Sequence, residues 1–212
     1  IYLNPKESRS IPFDYIQSTF VIQNRNGSVS AQQLVEDFMG KSTLTKEVSC
    51  GSNYVMIKST RVDPMFKYYD VTLESTYSIK NCLPLGMQFA LSSDGNNFYP
   101  ERTLKPEDIS EENLLSRNNK LYIKVKLQGF PWSQPHIIYS LDRKEIAETL
   151  LLKDSKNREL SLFVFAKPGE SGCKEFFIYT RCVIVNESPY DLQYFVTGIK
   201  NKKKKEVAGQ EP

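Results

Sequence analysis

Apolar and polar residues alternate along most of the chain, a pattern typical of β-strands with one buried face. The clearest example is LYIKVKL, residues 121–127, in which aliphatic side chains alternate with Tyr122, Lys124 and Lys126. This period of two places the aliphatic residues on one face of a strand and the lysines in water. Turn-like runs such as NRNGS, SSDGNN, SRNN and KPGESG separate the candidate strands.

A second long strand is predicted over ELSLFVFAK, residues 159–167. Both of its alternating sets carry bulky apolar residues, so we expect this strand to be covered on both sides. TFVIQN, residues 19–24, and YVMIK, residues 54–58, are shorter candidates. The fold is therefore predicted to be mainly β.

Two stretches favour helices instead. In residues 30–41, Ser30 is placed to cap a helix that ends at Gly40, and one face would carry Leu34, Val35, Phe38 and Met39. In residues 141–153, Asp142 is placed to cap a second helix, and one side would carry Ile146, Leu150 and Leu151. Both helices are short, and tertiary context can turn such segments into strands.

The chain repeats itself at a long spacing. Asn81 and Asn186 lie 186 − 81 = 105 residues apart, each at the end of a strand-like run. At the same offset the following pairs match: Ile79 and Ile184, Pro84 and Pro189, Met87 and Leu192, Phe89 and Tyr194, Val55 and Leu160, Ile57 and Leu162. A period this long exceeds that of solenoid repeats. It predicts tandem antiparallel β-sandwich repeats of about 105 residues.

The phase of this repeat divides the chain into three parts. Residues 1–67 are predicted to be the second half of one unit, and residues 68–174 a complete unit. Residues 175–212 would be the opening strands of the next repeat, followed by a basic tail. Alternatively, the opening strands complete the unit before them by pairing with an exposed sheet edge.

Asn81 and Asn186 are the candidate binding or corner residues of these units. Asparagine tolerates turn geometry and bonds to nearby backbone, and Pro84 and Pro189 stop each strand from continuing flat. The corner role is the simpler interpretation, and direct ligand contact is the alternative. Trp132 lies between two prolines and is either a core residue or a surface anchor for a peptide.

The net charge of +3 depends on one basic run, Lys202, Lys203, Lys204 and Lys205. Without it the charge is +3 − 4 = −1. A solvated tail is the simplest explanation, and contact with acidic lipid headgroups is the alternative. No second basic stripe accompanies the run, so we expect no nucleic-acid binding.

The residues offer little for catalysis, metals or cofactors. His136 is the single histidine, and the four cysteines (Cys50, Cys82, Cys173 and Cys182) form no C-x-x-C pair. We expect reduced thiols, with Cys82 and Cys182 as small buried residues. We therefore expect no enzyme activity, no metal and no cofactor.

Four segments carry a resemblance to a known family. YSIKNCLPLGMQF (77–89) and CVIVNESPYDLQYF (182–195) resemble the strand–Asn–turn–strand signature of one domain. LYIKVKLQGFPWSQP (121–135) and SIPFDYIQSTFVIQN (10–24) resemble further segments of it. The domain is the adaptor-binding domain of the vacuolar protein sorting-associated protein thirteen family, the chorein-type bridge-like lipid transfer proteins.

The resemblance implies tandem β-sandwich repeats that bind short Pro-x-Pro motifs of adaptor proteins. These adaptors would place a lipid-conducting body, carried elsewhere in the full-length protein, at organelle membranes and contact sites. The implied location is cytoplasmic and peripheral, with membranes reached indirectly through the adaptors. The first unit here lacks its opening half, and adaptor binding in the family is confined to some repeats. The alternative functions are a carbohydrate-binding β-sandwich and a module that binds membrane surfaces directly.

Overall fold

A computed structural model describes residues 19–23, 27, 30, 33–34, 43–63, 65, 68–140, 147–169, 172–181 and 188–190. The described residues form strands and no helix, which confirms the mainly β prediction. In chain order, β1 to β14 are Thr19–Phe20, Gln33–Leu34, Thr43–Cys50, Asn53–Asp63, Tyr68–Glu74, Tyr77–Asn81, Met87–Ser92, Arg102–Leu104, Ile109–Glu112, Leu121–Leu127, His136–Tyr139, Ala147–Lys153, Glu159–Pro168 and Lys174–Tyr179.

Two sheets share one apolar core and form a sandwich. One sheet has four strands in the order β11-β10-β7-β8, and the other has five in the order β12-β13-β14-β6-β9. Strand β10 has the alternation that the sequence predicts, because its aliphatic side chains are at most 4% exposed while Tyr122, Lys124 and Lys126 point outwards. The core joins apolar residues of both sheets, including Phe89 from β7 and Phe176 from β14.

The five-stranded sheet contains one parallel pair. Strand β14 pairs antiparallel with β13 on one side and parallel with β6 on the other, from Lys174 opposite Tyr77 to Ile178 opposite Asn81. All other pairs in the sandwich are antiparallel. The repeat phase assigns β14 to the opening of the next unit. In the structure, β14 lies between β13 and β6, two strands formed by earlier residues of the chain.

A third, smaller sheet has the order β3-β4-β5. Its apolar face buries Val48 and Ile57, with Ile22 and Leu44 packed against them. Farther along the same face, at the outer strand β5, Val71 and Leu73 remain 40% and 46% exposed. This apolar face is therefore only partly covered.

A polar junction connects the small sheet to the sandwich. The Glu47 carboxylate on β3 accepts hydrogen bonds from the Ser116 hydroxyl at 2.5 Å and the Arg117 amide at 2.7 Å. The ammonium of Lys174 donates to the Arg117 carbonyl at 2.7 Å and lies over the Tyr139 ring. Burial, followed by the nearby Arg117 charge, lowers the pKa of Lys174 to about 8.

Two predictions about individual strands are wrong. The second predicted helix is strand β12 over Ala147–Lys153, because Leu150 and Leu152 alternate inwards against the core when β12 pairs with β13. Strand β13 is not covered on both sides, since Phe165 is 49% exposed on its outer side. Of the first predicted helix, Leu34 lies in β2 and Ser30 bridges to Cys50, while its other apolar positions lie outside the described residues.

The chain divides into two compact units, Ile1–Arg181 and Cys182–Pro212. The strands described above all lie in the first unit, and of the second only Ser188–Tyr190 is described. Cys50, Cys82 and Cys173 are not in disulfide bonds. Cys50 and Cys173 are buried, Cys82 is half-buried, and Cys182 lies outside the described residues.

Candidate functional site

Asn81 forms the corner at which β6 ends. Its side chain is fully buried, and its amide nitrogen donates to the carbonyls of Leu85 at 2.9 Å and Lys105 at 3.0 Å. The side-chain oxygen accepts a hydrogen bond from the Leu83 amide at 3.0 Å. One carboxamide therefore closes the turn after β6 and ties it to the end of β8. This geometry favours the corner role over direct ligand contact.

Backbone hydrogen bonds also fix the position of Asn81. The Asn81 amide donates to the Asp108 carbonyl, and the Asn81 carbonyl accepts from the Glu107 amide. The next amide, that of Cys82, donates to the Ile178 carbonyl on β14 at 2.9 Å. The corner thus fastens β6 to the turn before β9 and to the parallel strand β14.

The two candidate prolines lie at the surface. Pro84 is exposed in the turn that Asn81 closes. In the second unit, Pro189 is exposed between Ser188 and Tyr190, whose ring is 74% exposed. Asn186 and the basic run Lys202–Lys205 lie outside the described residues.

Trp132 lies on the outer face of the four-stranded sheet. The ammonium groups of Lys124 and Lys126 are 4.6 Å and 5.9 Å from the centroid of its ring. Lys124 also lies 4.8 Å from the Phe98 ring. Because these lysines point away from the core, the geometry favours a surface position for Trp132, half-buried beneath two lysine side chains.

One group of aromatic side chains outside the core was not predicted from the sequence. On the outer face of the five-stranded sheet, Phe163 of β13 pairs with Tyr179 of β14, and Phe165 pairs with Phe177. The ring centroids are 5.9 Å and 6.3 Å apart within the two pairs. We call these two pairs the aromatic rows. The exposed side chain of Leu151 on β12 borders them.

A signal for the aromatic rows was present in the sequence. The segment LSLFVFA carries apolar residues on both of its alternating sets, and only one set can face a given core. That observation led to the prediction of a strand covered on both sides. The structure instead leaves the second set at the surface, which marks it as a candidate interaction surface.

Two cations lie at the aromatic rows. The Arg181 guanidinium is 4.6 Å from the centroid of the Phe163 ring, and the Lys167 ammonium is 5.2 Å from that of Phe177. Lys167 also forms an ion pair with Glu175 at 3.0 Å. Arg181 has no such carboxylate partner among the described residues. Among the described residues, this surface is therefore mainly apolar, and the positive charge of Arg181 lies at its Phe163 end.

The described part of the chain provides no group of three or more histidine, cysteine or acidic side chains placed to hold a metal ion. His136 is half-buried at the start of β11. No helix among the described residues has the length and apolar character needed to span a membrane.

The chain has no match among individually curated proteins. Comparison with protein families matches residues 1–211 to the family described as vacuolar-sorting associated protein 13, adaptor binding domain. That family is an adaptor-binding, protein-interaction module and not a class of enzymes. The match confirms the resemblance found in the sequence, and the chain belongs to the adaptor-binding domain family of vacuolar-sorting associated protein 13.

Proposed function

We propose that this chain binds short Pro-x-Pro motifs of adaptor proteins and thereby directs a bridge-like lipid transfer protein to organelle membranes and contact sites. The observation that carries the proposal is the family match over residues 1–211. Lipid would be carried by other parts of the full-length protein. The domain itself would be cytoplasmic and would reach membranes through its adaptors.

The described surface supports recognition of extended, proline-bearing segments. Such segments dock on aromatic side chains because their backbone is already extended and loses little entropy on binding. The sandwich presents aromatic side chains on both outer faces, Trp132 on one and the aromatic rows on the other. Trp132, Pro84 and Pro189 are the candidate contacts that the sequence indicates.

We also propose that the chain is built from tandem repeats of about 105 residues. Three consecutive strands of the small sheet have counterparts in the five-stranded sheet, in the same antiparallel order. Their first residues differ by 147 − 43 = 104, 159 − 53 = 106 and 174 − 68 = 106. In this proposal residues 1–67, 68–174 and 175–212 belong to three successive units, and Asn81 and Asn186 are equivalent corners.

Fluorescence anisotropy tests the proposed function. Fluorescein-labelled peptides containing Pro-x-Pro are titrated with the 212-residue protein, alongside matched peptides in which both prolines are alanine. We expect saturable binding that weakens at least about tenfold in the alanine peptides, the loss typical of central contact residues. Equal affinity for both peptide sets, or no binding to a panel of Pro-x-Pro sequences, would contradict the proposal. Pro84→Ala and Trp132→Ala then test the candidate contacts individually.

A further inference from the structure

Two lysine side chains on the outer face of the four-stranded sheet lie over aromatic rings and have no acidic partner among the described residues. We propose that Lys124 and Lys126 bind an acidic, extended segment of a partner protein, with the Trp132 ring beneath both ammonium groups. The segment would carry two carboxylates at alternate positions. This inference goes beyond the proposed function, because the bound segment needs no proline.

The chain that follows β10 fixes the position of the Trp132 ring. Ser133, the next residue, donates its amide to the Val125 carbonyl at 2.8 Å, and its hydroxyl accepts a hydrogen bond from the Val125 amide at 3.0 Å. Ser133 is itself buried. Trp132 is therefore tied to the middle of β10, on the side from which Lys124 and Lys126 project.

Both ammonium groups lie against aromatic rings instead of carboxylates. That of Lys124 is 4.6 Å from the Trp132 centroid and 4.8 Å from the Phe98 centroid, and that of Lys126 is 5.9 Å from the Trp132 centroid. Neither ammonium forms an ion pair with any described residue. A ring attracts a cation through its negative face but does not neutralise the charge. Two carboxylates of a bound segment would neutralise both lysines.

The fold does not require lysine or tryptophan at these positions. The residues 105 positions earlier are Thr19, Val21 and Gly27, and all three are exposed. Thr19 belongs to β1, which pairs antiparallel with β2 as β10 pairs with β11. A strand at this position can therefore form with uncharged surface residues. Contact with a ligand accounts for the two lysines and the ring, whereas formation of the strand does not.

The spacing of the two lysines suits an extended segment. Lys124 and Lys126 are two residues apart on one face of β10, so their Cα atoms lie about 6–7 Å apart. Side chains at alternate positions of an extended segment point to one side with the same spacing. Strand β10 already has hydrogen-bonded neighbours on both edges, β11 and β7. The segment would therefore bind through its side chains and not as an added strand.

The same face favours a protein segment over a membrane surface as the partner. The strands of the four-stranded sheet carry no large apolar side chain among the well exposed ones of the described residues. Trp132 is only half-buried, but it lies under the two lysines and does not project beyond them. Two lysines attract a protein only weakly to an acidic bilayer unless an apolar side chain inserts as well.

Trp132 is the single tryptophan of the chain, so its fluorescence reports on this site. The 212-residue protein is titrated with labelled peptides that contain neither proline nor tryptophan: one with two glutamates at alternate positions, one with the two glutamates adjacent, and one with glutamine at both. Lys124→Gln with Lys126→Gln removes both charges. Lys105→Gln with Lys156→Gln is the matched control, because it removes two exposed lysines elsewhere. Circular dichroism verifies that both double variants fold.

We expect saturable binding of the alternating peptide, with a change in Trp132 emission that the glutamine peptide does not produce. Removal of Lys124 and Lys126 charges should weaken binding by about fivefold or more, and the control should stay within about twofold of wild type. The adjacent glutamates should bind less tightly, because they point to opposite sides of an extended segment. Carbodiimide coupling, which joins carboxylates to nearby amines, should attach the peptide at Lys124 or Lys126 of the wild-type protein, as read by mass spectrometry.

Several results would overturn the proposal. No binding of the alternating peptide, or equal affinity for the glutamine peptide, would exclude an acidic ligand. Equal binding by wild type and the Lys124 and Lys126 variant, or coupling at other lysines alone, would exclude the site. Equal weakening in both double variants would indicate general charge attraction. Binding of phosphatidylserine vesicles in place of peptide, lost only without Lys124 and Lys126, would assign the lysines to membranes. Pro-x-Pro recognition stands or falls separately, because these peptides contain no proline.

Discussion

Two sets of three strands have the same antiparallel order: β12, β13 and β14 in the five-stranded sheet, and β3, β4 and β5 in the small sheet. The two sets differ in burial on their inner faces and in residue type on their other faces. On the inner face, Phe176 and Ile178 of β14 are fully buried, whereas Val71 and Leu73, 105 positions earlier on β5, are 40% and 46% exposed. On the other face, the five-stranded sheet carries the aromatic rows, whereas the small sheet carries polar side chains such as Lys58 and Thr72 beside the buried Met56.

The difference in burial on the inner faces follows from the elements that lie next to each sheet. Strand β14 has β6 along its second edge and the four-stranded sheet across the core. Strand β5 is an outer strand among the described residues, and the hydrophobic cluster beneath its sheet has two buried members there, Val48 and Ile57. Burial at positions 105 residues apart therefore depends on the neighbouring sheet more than on strand order.

The largest expected effect compares one residue from each sheet. Ile178→Ala should lower the free energy of unfolding by about 2–5 kcal/mol, because it creates a cavity in the sandwich core. Leu73→Ala removes a similar volume from a half-exposed site and should cost less than about 1.5 kcal/mol. Urea unfolding of both variants measures the difference. Equal costs would show that the apolar face of β5 is as well covered in solution as that of β14.

A second prediction concerns the corner that holds β6 against β14. Asn81→Ala leaves the Leu83 amide and the Leu85 and Lys105 carbonyls without their partner, and each unpaired buried group costs about 1–3 kcal/mol. We expect a clear fall in melting temperature. Asn97→Ala is the control, because Asn97 is exposed and its side chain donates to Asp94 in a surface loop. Equal melting temperatures for the two variants would remove the corner role.

The parallel pair of β6 and β14 shows which features of the fold could be predicted from the sequence and which could not. The period of two in residues 121–127 was sufficient to predict β10 and the side chains it buries. Periodicity could not reveal that β14 lies between β13 and β6, because pairing between distant strands depends on the whole sheet. For the same reason, residues 147–153 resembled a helix: three successive leucines satisfy either period until β13 lies beside them.

The candidate site, like the fold, could be predicted from the sequence only in part. The corner at Asn81 was visible as an asparagine at the end of an apolar run, followed by a proline. The aromatic rows were visible only as excess bulk on one strand, because Phe163 and Tyr179 are 16 residues apart in the chain and adjacent only across the ladder (179 − 163 = 16). Surface exposure of Phe165 depends on what the other sheets leave uncovered, which no local pattern reveals.

A third, smaller effect tests the junction between the two sheets through its pH dependence. The pKa of Lys174 is lowered to about 8 from 10.5, so between these values the unfolded chain binds more protons and this group makes folding more favourable as the pH rises. The stability of the wild-type protein relative to Lys174→Met should therefore increase from about pH 7.5 to about pH 9.5. Comparing the two proteins cancels the opposing effect of Cys173, whose pKa burial raises.

Urea unfolding at the two pH values measures this change, with Lys120→Met as the control at an exposed lysine. The control should follow the wild-type protein at both pH values. A constant difference between wild type and Lys174→Met would mean that Lys174 does not lose its proton in the folded junction. In that case its ammonium would donate to the Arg117 carbonyl as a permanent charge beside the Glu47 junction.

The smallest expected effect concerns the outer faces. Phe165→Thr with Phe177→Thr gives the five-stranded sheet the threonines of the small sheet, and threonine is well suited to strands. The variant loses one cross-strand aromatic pair, which is worth about 1 kcal/mol or less. Urea unfolding should therefore place it far closer to the wild-type protein than Ile178→Ala. A cost above about 2 kcal/mol would mean that the rings stabilise the sheet itself, in the range of buried aromatic residues. A small cost would separate the aromatic rows from folding and leave contact with a partner as the reason for them.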